Sequence, residues 1–123
     1  MPRRDWQIRI ADIRDAAAKI VAHTAASDFA AFSSDSWTVD AVLRNLTVIG
    51  EAAANVPEDV QAKYPRIPWL DMKGMRNIVV HEYFGVDLGI IWKTVRDDVP
   101  PLLQQIESLL LEQARSKGEK SES

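Results

Sequence analysis

The stretch "MRNIVVHEYFGVD", residues 75–87, decides the fold. Ile78, Val79 and Val80 suit a strand as well as a helix, because branched side chains sit well on a pleated surface. Spacing separates the two: Met72, Met75, Val79 and Tyr83 recur at i, i+3, i+7 and i+11, the interval of one helix face. No partner strand with an alternating pattern occurs elsewhere in the chain. The segment therefore reads as a helix from Leu70 to about Tyr83, ending near Gly85, which lacks the Cβ that penalises a helix C-terminus. That helix carries Arg76, His81 and Tyr83 within an otherwise apolar run, three polar groups that core packing does not require.

Outward from this segment the chain reads as helices throughout. Ile10, Ile13, Ala17, Ile20 and Thr24 follow Trp6 at steps of three and four, with charged residues between them. Residues 25–36 lose the period and collect Ser and Asp, so their later part reads as a loop. Ser36 or Thr38 could cap a second helix with Val39, Val42, Leu43, Leu46, Ile49, Ala53 and Val56 on one face. Gly50 breaks that face and would let a neighbouring helix come close. The helix should end near Pro57, and Pro57, Pro65 and Pro68 bracket a connector with room for a helical turn or two. Beyond the opening stretch, Asp87 could cap a helix carrying Ile90, Ile91, Val95 and Val99. Pro100 and Pro101 would interrupt it, leaving Leu102, Leu103, Ile106, Leu109 and Leu110 as the face of a last helix. The expectation is an all-α bundle of about five helices in one domain over residues 1–114, with residues 115–123 a disordered polar tail.

Composition narrows the function. A chain of 123 residues that is 46% hydrophobic and 27% charged can bury one real core and is too short for two ordinary domains. It contains no cysteine, which removes disulfides, thiolate metal sites and thiol nucleophiles from consideration. Neither a signal-peptide core nor an apolar run of membrane-spanning length is present, and a cytoplasmic location is expected. Fifteen Lys and Arg against eighteen Asp and Glu give a formal charge of −3, the wrong sign for holding nucleic acid by bulk electrostatics. Any contact with a polyanion must be local.

At about 100° per residue, Arg76 and Tyr83 lie roughly 20° apart on a helix, whereas His81 stands about 140° from Arg76. These side chains do not share one narrow face. Either the helix ends or bends near His81, or a second copy of the chain completes the cluster. A lone Arg or His near a helix end more often caps or pairs than catalyses, and a Tyr in step with Met72, Met75 and Val79 is commonly a core aromatic with its hydroxyl at the rim. Glu82 beside His81 makes no metal site, because no second histidine lies at ligand spacing. Asp97 and Asp98 point about 100° apart and suit a solvated helix end better than a catalytic carboxylate pair. Glu51, in "VIGEAA", could pair with Arg76 and orient it. Trp37, Trp69 and Trp92 read as packing residues rather than platforms for bases, since no basic cluster surrounds them.

The order Arg76, four residues, His81, one residue, Tyr83 resembles the signature of the HEPN superfamily, and the chain is similar to its HepT-like family. Alone the pattern is weak, but here it follows "IPWLDMKGMRN" and is preceded by "VIGEAA". Residues 41–57, 64–87 and 90–103 all share the likeness, which covers most of residues 5–111. The resemblance implies an all-helical homodimer whose motif helices face each other across a composite cleft. It further implies a metal-independent ribonuclease without a cofactor, the toxin of a toxin–antitoxin pair. By position it makes Arg76 and His81 the catalytic pair and Asn77 a supporting residue. Tyr83 becomes the hydroxyl to which a minimal nucleotidyltransferase antitoxin, MntA-like, transfers AMP.

The chemistry of the residues agrees with that implication. Cleaving RNA without a metal needs a group to take the proton of the ribose 2′-hydroxyl, one to protonate the leaving oxygen, and positive charge at the phosphate. His81 is of a type that exchanges protons near neutrality, and Arg76 offers a fixed cation with forked donors. A competing reading makes the dimer a non-catalytic binding partner and modification substrate of the nucleotidyltransferase. The acidic net charge leans that way, because RNA would have to be held by a small cleft with Arg76, Lys73 and Arg66 from each subunit.

Overall fold

The computed structural model describes the backbone of residues 5–83 and 88–122 and the side chains of residues 6–77 and 88–116. Gly85 and Asp87, expected to end one helix and begin the next, lie outside these residues, as do the side chains of Val79, His81 and Tyr83.

Helix α1 spans Asp5–Thr24. Ile10, Ile13, Ala17 and Ile20 are its buried stripe, as their spacing predicts. Thr24 can join them in the core because its hydroxyl donates to the Ile20 carbonyl at 2.7 Å, which leaves no buried polar atom unpaired. The next segment corrects the sequence reading. Residues expected to be loop form a short helix, α2 (Phe29–Ser34), whose N-terminus is capped by the Asp28 carboxylate accepting from the Ala31 N–H at 2.8 Å. Phe32 is buried and its ring meets that of Trp92 at 5.0 Å, so α2 is held by one aromatic anchor rather than by a periodic face.

Helix α3 spans Ser36–Ala54, with Val42, Leu46, Ile49 and Ala53 buried. Its cap is Asp35 rather than Ser36 or Thr38. The carboxylate accepts the Thr38 N–H at 3.2 Å and the Thr38 hydroxyl at 2.7 Å, satisfying one of the open donors of the first turn. Pro57 ends the turn after α3 and opens α4 (Glu58–Lys63), the short helix the connector has room for. Helix α5 follows over Trp69–Tyr83. It is a helix, as the spacing of Met72 and Met75 requires, and both methionines are buried.

Helices α6 (Leu88–Lys93) and α7 (Val99–Glu122) are joined by a π-helical turn, Thr94–Asp98. The interruption expected at Pro100 and Pro101 therefore does not occur. The Val99 N–H bonds the Thr94 carbonyl, five residues back, so the helix widens just before the prolines. Both prolines then sit in the first turn of α7, where their missing N–H groups and bulky rings are tolerated. The count of about five helices thus fuses two of those expected and adds the short α2 and α4. Val99, Leu102, Ile106 and Leu109 form the buried face of α7. Beyond them the helix runs on to Glu122, over the segment whose composition predicts disorder from Arg115.

α3 is the central element, packed against both α1 and α5, and α7 packs against α1. Two tryptophans obey the expectation of packing and one does not. Trp69 is buried with its indole N–H donating to the Tyr64 carbonyl at 3.0 Å, and Trp92 packs on Phe32. Trp37 is 86% exposed on the first turn of α3. Among the described residues, no helix is long and apolar enough to cross a membrane.

Candidate functional site

The position of Arg76 follows from a missing side chain on the neighbouring helix. A Cβ built on Gly50 of α3 would lie 2.9 Å from the Arg76 Cβ and 3.0 Å from its backbone N, closer than real side chains pack. Only glycine lets α5 come this near to α3. The stem of Arg76 consequently lies across α3 at Gly50, and its guanidinium reaches the next residue, Glu51. Arg76 Nη1 donates to Glu51 Oε1 at 3.2 Å. The pair suggested by "VIGEAA" is thus formed, with the glycine supplying approach and the glutamate the counter-charge.

This ion pair is open to solvent, with side-chain exposures of 44% for Arg76 and 57% for Glu51. In that setting it adds little to stability, since exposed pairs contribute at most about 1 kcal/mol. Its effect is geometric. One guanidinium nitrogen is engaged and, among the described residues, the Nε and Nη2 donors are not. An arginine tethered at one corner keeps a fork of donors for an incoming oxyanion. The Glu51 backbone is itself tied down, because the Asn55 side-chain amide donates to its carbonyl at 2.8 Å.

The other residues singled out by sequence are placed as follows. Asn77 is exposed next to Arg76 on α5. The α5 backbone remains helical through Tyr83, so Arg76, Asn77, His81 and Tyr83 all stand on one helix, with the side chains of the last two outside the described residues. Lys73 does not join Arg76: its ammonium donates to Gln61 of α4 at 3.4 Å. Arg66 is also apart, on the connector against α7, where its carbonyl accepts from Gln105 at 3.1 Å. Among the described residues, no three His, Asp or Glu side chains gather in a metal-holding group.

A second polar region lies away from the motif helix, and the sequence does not announce it. A groove of about 500 Å³ runs between α1 and α3, lined by Lys19, His23, Arg44 and Asn45 together with Asp12 and Asp15. Its only advance signal is that Lys19 and His23, and separately Arg44, lie at helical spacing on the polar sides of their helices.

Comparison with known proteins gives the family. Residues 13–109 match the family described as Ribonuclease HepT-like. A probable ribonuclease HepT of Thermococcus cleftensis is 40% identical over 107 residues, covering 87% of this chain and 97% of that protein. A putative RNase of Methanocaldococcus jannaschii is 36% identical over 107 residues, covering 87% of this chain and 98% of its own. A putative RNase of Caldanaerobacter subterraneus is 39% identical over 82 residues, covering 67% of this chain and 73% of that protein. No solved structure matches significantly. An all-α bundle with an arginine projecting from its motif helix, matched along most of its length by such relatives, is a member of the HepT-like ribonuclease family.

Proposed function

We propose that this chain cleaves RNA without a metal, as the toxin of a toxin–antitoxin pair, and that its site is built from Arg76 and His81 with Asn77 in support. The observation that carries the reading is the Arg76 guanidinium, held at one nitrogen by Glu51 and, among the described residues, unbonded at the others, in a chain of this ribonuclease family. His81 takes the proton of the ribose 2′-hydroxyl as that oxygen attacks phosphorus and returns it to the departing 5′-oxygen. The 5′-oxygen leaves and is protonated in turn, and Arg76 stabilises the charge gathered on the non-bridging oxygens. On a regular helix position 81 stands about 140° from position 76, so a site needing both draws them from the two chains of a homodimer.

Tyr83 is the acceptor for silencing. Its phenol oxygen attacks the α-phosphorus of ATP held by the cognate nucleotidyltransferase, pyrophosphate leaves, and the phenol proton passes to solvent. The tethered AMP then occupies the place of an RNA phosphate near Arg76.

The test is cleavage of RNA in EDTA by the wild type and by Arg76→Ala and His81→Ala. A drop of about a hundredfold or more is expected in each variant, the range for losing an acid–base or charge-stabilising group. Equal cleavage in wild type and variants would mean a contaminating nuclease, leaving the chain as a binding partner and modification substrate of the transferase.

A further inference from the structure

We propose that the exposed ridge of α3, carrying Trp37, Arg44 and Glu51 with its bound Arg76, together with the α1–α3 groove beside it, is a track for single-stranded RNA. Arg44 holds a phosphate and Trp37 stacks on a base. The proposal deepens the nuclease reading and rests on Arg76 as the point of cleavage.

Three observations meet here. The first is register: Trp37, Arg44 and Glu51 are seven residues apart, so on a helix each lies about 20° from the last and about 10 Å further along. All three side chains are exposed. Since Glu51 binds Arg76, this row ends at the cleavage site. The second is uncompensated charge in an acidic protein. Within the groove, Asp12 is met by Arg9 at 3.7 Å and Asp15 by Arg14 at 2.9 Å. Lys19, His23 and Arg44, by contrast, have no ion pair or hydrogen bond of their side chains among the described residues. Asp40, one turn before Arg44, makes no ion pair with it. The two acids that line the groove are thus answered, and its cations are left for an external anion.

The third observation is Trp37 itself. An indole 86% exposed contributes almost nothing to this core, whereas Phe32 and Trp92 next to the same end of α3 are packed. Cations that follow a backbone, alternating with an aromatic face for a base, are the usual means of holding single strands without reading sequence. A duplex would not use the indole, because its bases are already stacked.

The experiment measures binding of a labelled 2′-O-methyl oligouridylate, which lacks the attacking hydroxyl and so survives the wild-type protein. Trp37→Ala should weaken binding about tenfold and Trp37→Phe much less, since a ring remains. Arg44→Gln and Lys19→Gln should each weaken it and lower the slope of log affinity against log salt by about one. Circular dichroism and sedimentation should match the wild type in every variant. Unchanged affinity in Trp37→Ala and Arg44→Gln overturns the track, as does an affinity loss that accompanies loss of a dimer, which would make the ridge a contact between copies. No binding by the wild type overturns it as well. If binding depends on Trp37 and Arg44 but natural RNA is not cleaved, the track stands and the nuclease reading falls. If cleavage proceeds in these variants with unchanged KM, the reverse holds.

Discussion

At the scale of single residues, Gly50 controls more than its own helix. Gly50→Ala would gain about 1 kcal/mol of helix propensity in α3. Against that, the new methyl would press on the Cβ and backbone N of Arg76, neither of which can swing away, and overpacking of this kind costs about 1–3 kcal/mol. A net loss of stability is expected in urea unfolding, with α5 pushed off α3 at the arginine. Glu51→Gln, which removes only an exposed ion pair, should stay within about 0.5 kcal/mol of wild type in the same experiment. A Gly50→Ala protein as stable as Glu51→Gln would mean the helices are free to separate there. Both residues are legible in the sequence because each acts through a property its letter carries: no Cβ in the one, a carboxylate in the other. Trp37 is illegible for the opposite reason. An indole packs or stands free according to what the rest of the chain places opposite it, and nothing near position 37 reveals that.

At the scale of elements, the long helices are readable because their apolar residues repeat often enough to define a face. Ile10, Ile13, Ala17 and Ile20 in α1, and Val42, Leu46, Ile49 and Ala53 in α3, are buried as that face predicts. Helix α2 is too short to show a period and rests on Phe32 alone, while the π turn lets α6 run into α7 through two prolines that look like a break. The start of α3 is likewise fixed by one side chain. Asp35 has its carboxyl held below the ordinary carboxylate range, first by the Thr38 hydroxyl and then by the Thr38 N–H, both of which bond the charged form. A group whose pKa is depressed on folding stabilises the protein above its unfolded value and ceases to do so as pH falls through the folded one. Asp35→Ala should therefore lower the melting temperature at neutral pH. The gap from wild type should close as the pH drops below about 3.9, the value of a free aspartate. A gap that persists undiminished well below that point would show that the cap acts through something other than its ionised carboxylate. Because Trp37 stands in the first turn that Asp35 caps, the same variant should also loosen the indole end of the proposed RNA track.

At the scale of the whole molecule, the spacing of Arg76 and His81 bears on how many chains make one site. Two positions about 140° apart on one straight helix cannot easily meet on the same phosphate, whereas two copies of that helix facing each other across a twofold axis can present Arg76 from one and His81 from the other. The Arg76–Glu51 pair faces solvent, which leaves room for such an approach. This arrangement makes a specific demand on subunit mixing. Arg76→Ala and His81→Ala should each be inactive alone. When they are unfolded together and refolded as a mixture, half of the dimers combine one of each. In such a dimer, one site pairs the intact Arg76 of one chain with the intact His81 of the other, and the second site has neither. Random pairing in a twofold dimer then restores about a quarter of wild-type cleavage, whereas a site made within one chain restores none. Sedimentation of the mixture checks that dimers have formed. Recovery of about a quarter would establish a shared site. Failure to recover, in a mixture that sediments as dimer, would place both residues on the same phosphate from the same chain or require all four at once, and the pairing of one arginine with its partner's histidine would be wrong.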